Sequence, residues 1–360
     1  MSRRHLLRTI SVPLRRGRGQ VQFGTSAEHS VVVDGLTDDE VAALEQLDGT
    51  HELPDALSGS GAEDVLAFLG QHDLLLETED LGGMAPGARA LLAPDASAQA
   101  VLGSTDGYAV VSRRRASPVL VCGRGALPAA VASLLRRSGV ARVLVGEVAA
   151  DDWDHELAGP PEAPPDLGTG QSAVDRHPAL VVLTGLEAID PALGVGWRRR
   201  GTPVLPVVLH GVEAVVGPLV ATDGPCLRCL DLTRADLDPA WPLLLGQLLR
   251  PSVGAGREVD GDTALVAVAA GMTAMLALAV LDGHGVPPGR SFEVGLPWPQ
   301  VRQRDWPVHP RCRCAAAADL EPGTQPSRSS AVRWGVAPTQ TRGIPEPART
   351  HHGPHDRMAR

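Results

Sequence analysis

Two periods divide the first eighty residues. Val12 to Phe23 and Ser30 to Val33 alternate apolar and polar positions, as the strands of a small sheet do. Gly35-Leu-Thr37 then opens a helix, with Thr37 as N-cap and Glu40 at the capping-box position; Val41, Leu44 and Leu47 fall on one face. A second helix over 62–71 turns Val65, Phe68 and Leu69 inward, and Leu74 to Leu76 returns as a strand. Short strands around two or three small helices describe a winged-helix-like module spanning 1–80.

Residues 81–117 form a connector, interrupted by Gly, Pro and Asp, with short helices expected over 87–92 and 97–102. From Pro118 the pattern changes to an apolar strand that enters the turn Gly123-Arg124-Gly125. An amphipathic helix over 129–138 and a strand over 140–145 follow. Strand, glycine turn, helix and strand within about 30 residues make a Rossmann-type βαβ unit, in which the glycines admit a nucleotide phosphate to the backbone. Gly123, Arg124 and Gly125 are the candidate nucleotide contacts. The third glycine position of such a turn holds Pro128, and the acid expected after the second strand is offset as Gly146-Glu147.

Beyond a Pro-rich loop (159–170), strands are expected over 178–184, 203–210, 212–220 and 291–296, with a short helix over 191–200 and an apolar helix over 240–249. Thr263 to Leu281 carries no charge over the length needed to cross a bilayer. It is rich in Ala and Gly, Asp262 is a fitting N-cap, and Asp282-Gly283 is a stop, so it reads as a buried helix.

Composition narrows the function. The net charge of −9 makes no case for nucleic acid, and the helix over 62–71 holds Glu63 and Asp64 but no arginine, which would repel phosphate. A peptide added along an edge strand suits that module better. All 33 basic residues are arginine, so no mechanism can use a lysine amine. Six arginines lie in the first 20 residues with no apolar run behind them, so no secretory signal is expected and a cytoplasmic location is. From about residue 315 the composition predicts a disordered tail, where His351, His352 and His355 read as incidental.

Four of the five cysteines form two clusters, Cys226 with Cys229 and Cys312 with Cys314, separated by 82 residues. In a reducing compartment two chelating turns of this kind point to a structural zinc with four thiolate ligands. All four positions are then consumed, leaving none for a catalytic water. A CxxC redox site is the competing reading; Pro225 before the pair and the second pair within reach count against it.

The order of these pieces, with Gly224-Pro-Cys-Leu-Arg-Cys229, Pro118 to Val145 and Cys312 with Cys314 as the most specific, resembles the ThiF/MoeB group of ubiquitin-activating-enzyme relatives over about residues 1–316. More narrowly, it resembles the ThiF-like leader-peptide-binding partners of YcaO cyclodehydratases. The resemblance implies an α/β, Rossmann-like ThiF fold with a zinc knot, preceded by the winged-helix-like domain. It implies a precursor leader peptide and a YcaO-type enzyme as partners, and homodimers are common in the group. Active members bind ATP and Mg²⁺ and adenylate a C-terminal carboxylate. Here the strand end Thr184 to Asp190 lacks the Asp-Asn pair, lysine is absent, and Pro128 replaces glycine. These departures favour a non-catalytic scaffold. The alternative is a divergent adenylyltransferase using Arg124, Arg136 or Arg137 for phosphate and Glu187 or Asp190 for Mg²⁺.

Overall fold

The computed structural model describes residues 5–7, 12–25, 30–47, 53–58, 62–72, 74–77, 86–102, 107–146, 177–250 and 261–314. The Pro-rich loop, Glu147 and the expected tail, with its three histidines, lie outside them.

Near the N-terminus, β2 (Pro13–Gly17), β3 (Gln20–Phe23) and β4 (Val31–Val33) form a three-stranded antiparallel sheet in the order β2-β3-β4, while β1 (His5–Leu7) pairs with β5 (Leu75–Glu77). Helices α1 (Asp38–Leu44) and α2 (Ala62–Gln71) cover the sheet through Val21, Phe23, Val33, Leu44 and Leu69. The capping box is present: Thr37 Oγ1 accepts from the Glu40 N–H at 3.2 Å, and Glu40 Oε2 accepts from the Thr37 N–H at 2.7 Å. Such a cap contributes about 1 kcal/mol and fixes where α1 begins. The two outer edges of this sheet differ. β2 carries Pro13, a register shift between Arg15 and Gly17, and two exposed arginines. β4 offers three valines.

The connector differs from expectation. Instead of two short helices, α3 (Pro86–Val101) runs unbroken through Pro94, and α4 (Gly107–Arg115) follows it. Proline inside a helix costs about 3 kcal/mol. The apolar stripe Ala88, Leu92 and Ala96 packs against Tyr108 and Val111 and outweighs that cost. Gly107 permits the close approach, since a Cβ there would lie 1.8 Å from the Ala96 carbonyl oxygen.

The remaining strands build one seven-stranded sheet, from β6 (Val119–Cys122), β7 (Val143–Val145), β8 (Leu180–Leu186), β9 (Val204–His210), β10 (Glu213–Val216), β11 (Arg290–Gly295) and β12 (Gln300–Asp305). Their order is β12-β11-β10-β9-β8-β6-β7. β7, β6, β8 and β9 are parallel; the other three are added antiparallel. Alternate residues feed two cores. Val119 and Val121 face α5 (Ala126–Arg137) and α9 (Thr263–Leu281), while Leu120 and Cys122 face α6 (Leu193–Arg199) and α7 (Leu227–Leu237). β8 extends two residues past Thr184. β10 is shorter than the expected strand over 212–220, and β12 was not expected: all six of its residues are exposed, so it has no apolar alternation to read.

The uncharged segment is a single helix, α9, as expected. Asp262 caps it by accepting from the Ala264 and Leu265 N–H groups, and Gly283, at φ +81°, follows its end. It is long and apolar enough to cross a membrane, yet Ala269, Ala270, Ala274 and Ala277 pack it onto the sheet. Only its outer face, with Val268 and Met275, is exposed. By contrast, α8 (Trp241–Leu248) buries no residue, and Leu243, Leu244 and Leu248 stand in solvent.

Arg114 of α4, 2% exposed, joins the connector to the large sheet's layer. Its Nε and Nη2 reach the two carboxylate oxygens of Asp282 at 2.7 Å each, and Nη1 meets Asp95 at 2.7 Å and the Ser138 carbonyl at 2.8 Å. Gln99 adds a further bond to Asp282 at 2.8 Å. Removing one partner of a buried, bidentate pair strands a charge without solvent. We therefore expect Asp282→Ala to lower unfolding free energy by about 3–5 kcal/mol in urea titrations; a loss below about 1 kcal/mol would mean that water replaces the carboxylate.

Candidate metal centre and glycine turn

Cys226 is the N-cap of α7, with φ −91° and ψ 170°, and Cys229 lies in the first turn of that helix, its N–H donating to the Cys226 carbonyl at 2.8 Å. The turn after β12 brings up the other pair, with the Cys312 N–H bonded to the His309 carbonyl at 2.9 Å. The four sulfurs lie within 4.8 Å of one another. Individual separations are 3.7 Å for Cys226–Cys229, 3.6 Å for Cys226–Cys312 and 3.4 Å for Cys229–Cys314. Disulfides need about 2.05 Å. Four thiolates about 2.3 Å from one zinc at tetrahedral angles would be about 3.8 Å apart, which these distances match. The cluster could hold a metal ion, as the residue spacing predicts.

Its electrostatics suit a cation. Burial pushes the Cys226 thiol up to about 11, with the neighbouring thiols adding to the rise, and burial likewise raises Cys314. Burial also acts against Cys229, but N–H groups of His309 and Cys226 directed at its sulfur outweigh it and draw this thiol below its usual value. Several thiolates so close repel one another; a divalent cation removes that repulsion and stabilises all of them.

The glycine turn lies at the C-terminal end of β6, beside β8, where the strand order reverses and α/β sheets take their ligands. Gly123 and Gly125 have φ of +136° and +90°. A Cβ on Gly123 would lie 1.8 Å from Thr184 Oγ1, which itself donates to the Cys122 carbonyl at 2.9 Å. Tight packing against β8 thus requires Gly123 whether or not a phosphate ever approaches. Arg124 is exposed at the turn, and Pro128 is buried in the first turn of α5, where it removes one amide donor.

The other residues weighed for ATP are placed elsewhere or engaged. Arg136 and Arg137 end α5 about 15 Å from the turn, and Arg136 donates to the Val143 carbonyl at the start of β7. Glu187, at φ +61°, donates its N–H to the Leu209 carbonyl and places its carboxylate 3.2 Å from His210 Nδ1. Asp190 accepts from the Ala192 N–H at 2.8 Å. His309, which sequence reasoning passed over, lies buried beside the cysteines; its place before the CxC pair was its only signal.

No family model matches the chain, and no curated protein sequence does. Solved structures do share its fold. A heterocyclase solved with substrate and cofactor superposes with a TM-score of 0.57 at 14% identity, covering 86% of this chain and 39% of its own. The heterocyclase TruD gives 0.56 at 16% identity, over 87% of this chain and 43% of its own. E. coli MccB solved with MccA gives 0.54 at 14% identity, over 88% of this chain and 100% of its own. At these identities the likeness is one of fold, and this chain spans about two-fifths of the heterocyclases' length. The α/β fold expected from the motifs is observed, and these structures share it.

Two outcomes test the site. The purified chain should carry one zinc, and Cys226→Ser should lose it together with the folded state of the lobe, read by metal analysis and circular dichroism; a folded Cys226→Ser chain would make the cluster dispensable. Gly123→Ala should be destabilised by roughly 1–3 kcal/mol from overpacking and left-handed strain, and Thr184→Ala should restore part of that loss in thermal melts.

Proposed function

We propose that this chain is a ThiF-like scaffold whose own adenylation chemistry is lost. Residues 1–80, as a winged-helix-like domain, take up the leader of a precursor peptide. Residues 118–316, tied to them by the connector 81–117 and held by a structural zinc on Cys226, Cys229, Cys312 and Cys314, dock a YcaO-type cyclodehydratase that modifies the core peptide. The work takes place in the cytoplasm, and the uncharged, apolar face of α8 fits a second copy.

One observation carries the loss of chemistry: Arg124 apart, the charges weighed for phosphate and Mg²⁺ are held in local bonds or lie at the far end of α5. Arg136 bonds at the opposite end of α5, Glu187 faces His210, and Asp190 is engaged by a backbone N–H. Phosphoryl and adenylyl transfer depend on positioned charge, and losing each such group costs orders of magnitude in rate. Peptide uptake is supported by the edge of β4, free of the proline, bulge and arginines that guard β2. The fold shared with a heterocyclase solved with its substrate and with MccB solved with MccA is in line with a peptide ligand.

The second reading, a divergent adenylyltransferase acting on a peptide C-terminus, keeps two observations in its favour. Gly123 and Gly125 retain the left-handed turn, and MccB solved with ATP shares the fold. Against it, the Thr184 contact accounts for Gly123 without a nucleotide.

Strand addition at β4 is testable with the whole chain and fluorescent versions of short peptides encoded in neighbouring genes. Val32→Asp places a charge on the pairing edge and should weaken binding by at least about tenfold, or 1.4 kcal/mol. Unchanged affinity would move the peptide off this strand.

A further inference from the structure

Helix α7 reaches the second cysteine pair by a route other than sulfur. The His309 ring is 5% exposed and sits with Nε2 2.8 Å from Oδ2 of Asp236, near the C-terminal end of α7. Its Nδ1 accepts the Arg311 N–H at 3.2 Å. With Nδ1 an acceptor, the neutral ring carries its proton on Nε2 and donates to the carboxylate. The Arg311 guanidinium meets the other oxygen of Asp236. The backbone of His309 is also engaged: its carbonyl accepts from the Cys312 N–H. One residue is therefore fixed by its ring to the helix that carries Cys226 and Cys229, and by its backbone carbonyl to Cys312 of the second pair.

We propose that Asp236 and His309 are positioning residues for the metal: a hydrogen-bonded clip that holds the turn of Cys312 and Cys314 in its chelating shape before the ion arrives. The inference rests on the zinc reading above. Without the clip, the metal would have to order residues 310–314 itself, at the expense of their conformational entropy. With it, two thiols are presented as a preformed pair. A histidine buried merely to satisfy its own ring nitrogens would need no tie to the helix of the first pair.

The test is zinc release from the whole, zinc-loaded chain into a chromogenic chelator, with the metal content of the wild-type chain measured first. Outer hydrogen bonds of this kind typically set metal affinity by about 10–100-fold. Asp236→Ala and His309→Ala should release zinc faster by about that factor. Asp236→Asn, whose amide oxygen accepts the same ring N–H, should stay near the wild-type rate, as should Arg311→Ala, which leaves the ring bond in place. Asp236 is half exposed, so its alanine variant decides the matter even if His309→Ala does not fold. Wild-type release from Asp236→Ala, or equal acceleration in Arg311→Ala, would overturn the clip. A wild-type chain that binds no zinc would instead overturn the metal reading.

Discussion

Four thiols within 4.8 Å of one another mark where two distant parts of the large lobe meet, and a metal held there would constrain everything between them. They come from the first turn of α7 and from the turn beyond β12, so everything between them, including α9 and the β11–β12 hairpin, forms a loop closed by the cluster. Close thiols are unfavourable as thiolates alone and favourable around a cation, so a metal bound there would relieve the cluster's electrostatic strain. The hairpin gains most from closure. Its outer strand β12 buries no side chain, and the chain leaving it is anchored by Trp306, whose ring is flanked by Arg234 and Arg304 and whose Nε1 donates to Ser291.

Architecture and chemistry are separable in this molecule. Both faces of the sheet are packed, the glycine turn keeps its geometry, and the strand order still reverses between β6 and β8. What an adenylating site adds to that frame is positioned charge, and three of the groups weighed for that role, Arg136, Glu187 and Asp190, are engaged in local bonds. The buried Arg114–Asp282 pair and the Arg311–Asp236 pair beside the cysteines spend charge on holding elements together instead.

Local signals were legible in the sequence. The Thr37–Glu40 box, the βαβ unit at Pro118 to Val145, the Asp262 and Asp282-Gly283 bounds of α9 and the pairing of the cysteines all rest on residues a few positions apart, or on spacing that repeats a known clip. What escaped depends on partners far away in sequence. Arg114 meets Asp282 across 168 positions and His309 meets Asp236 across 73, so neither pair leaves a local pattern. α3 continues through Pro94 because of packing against α4, which propensity does not contain. β12 has neither face buried, so it lacks the alternation that reveals strands. The placing of Arg136 could have been foreseen: a helix in a βαβ unit runs antiparallel to its strands, so its last turn lies at the end away from the glycine turn.

The central proposal is that the fold shared with MccB persists here without adenylation. ATP–pyrophosphate exchange by the zinc-loaded chain, measured with and without a bound precursor peptide, tests it most directly. The account predicts no exchange above the ATP-only background under either condition. Exchange that appears when a peptide with a free C-terminal carboxylate is added, and vanishes when that carboxylate is amidated, would contradict it.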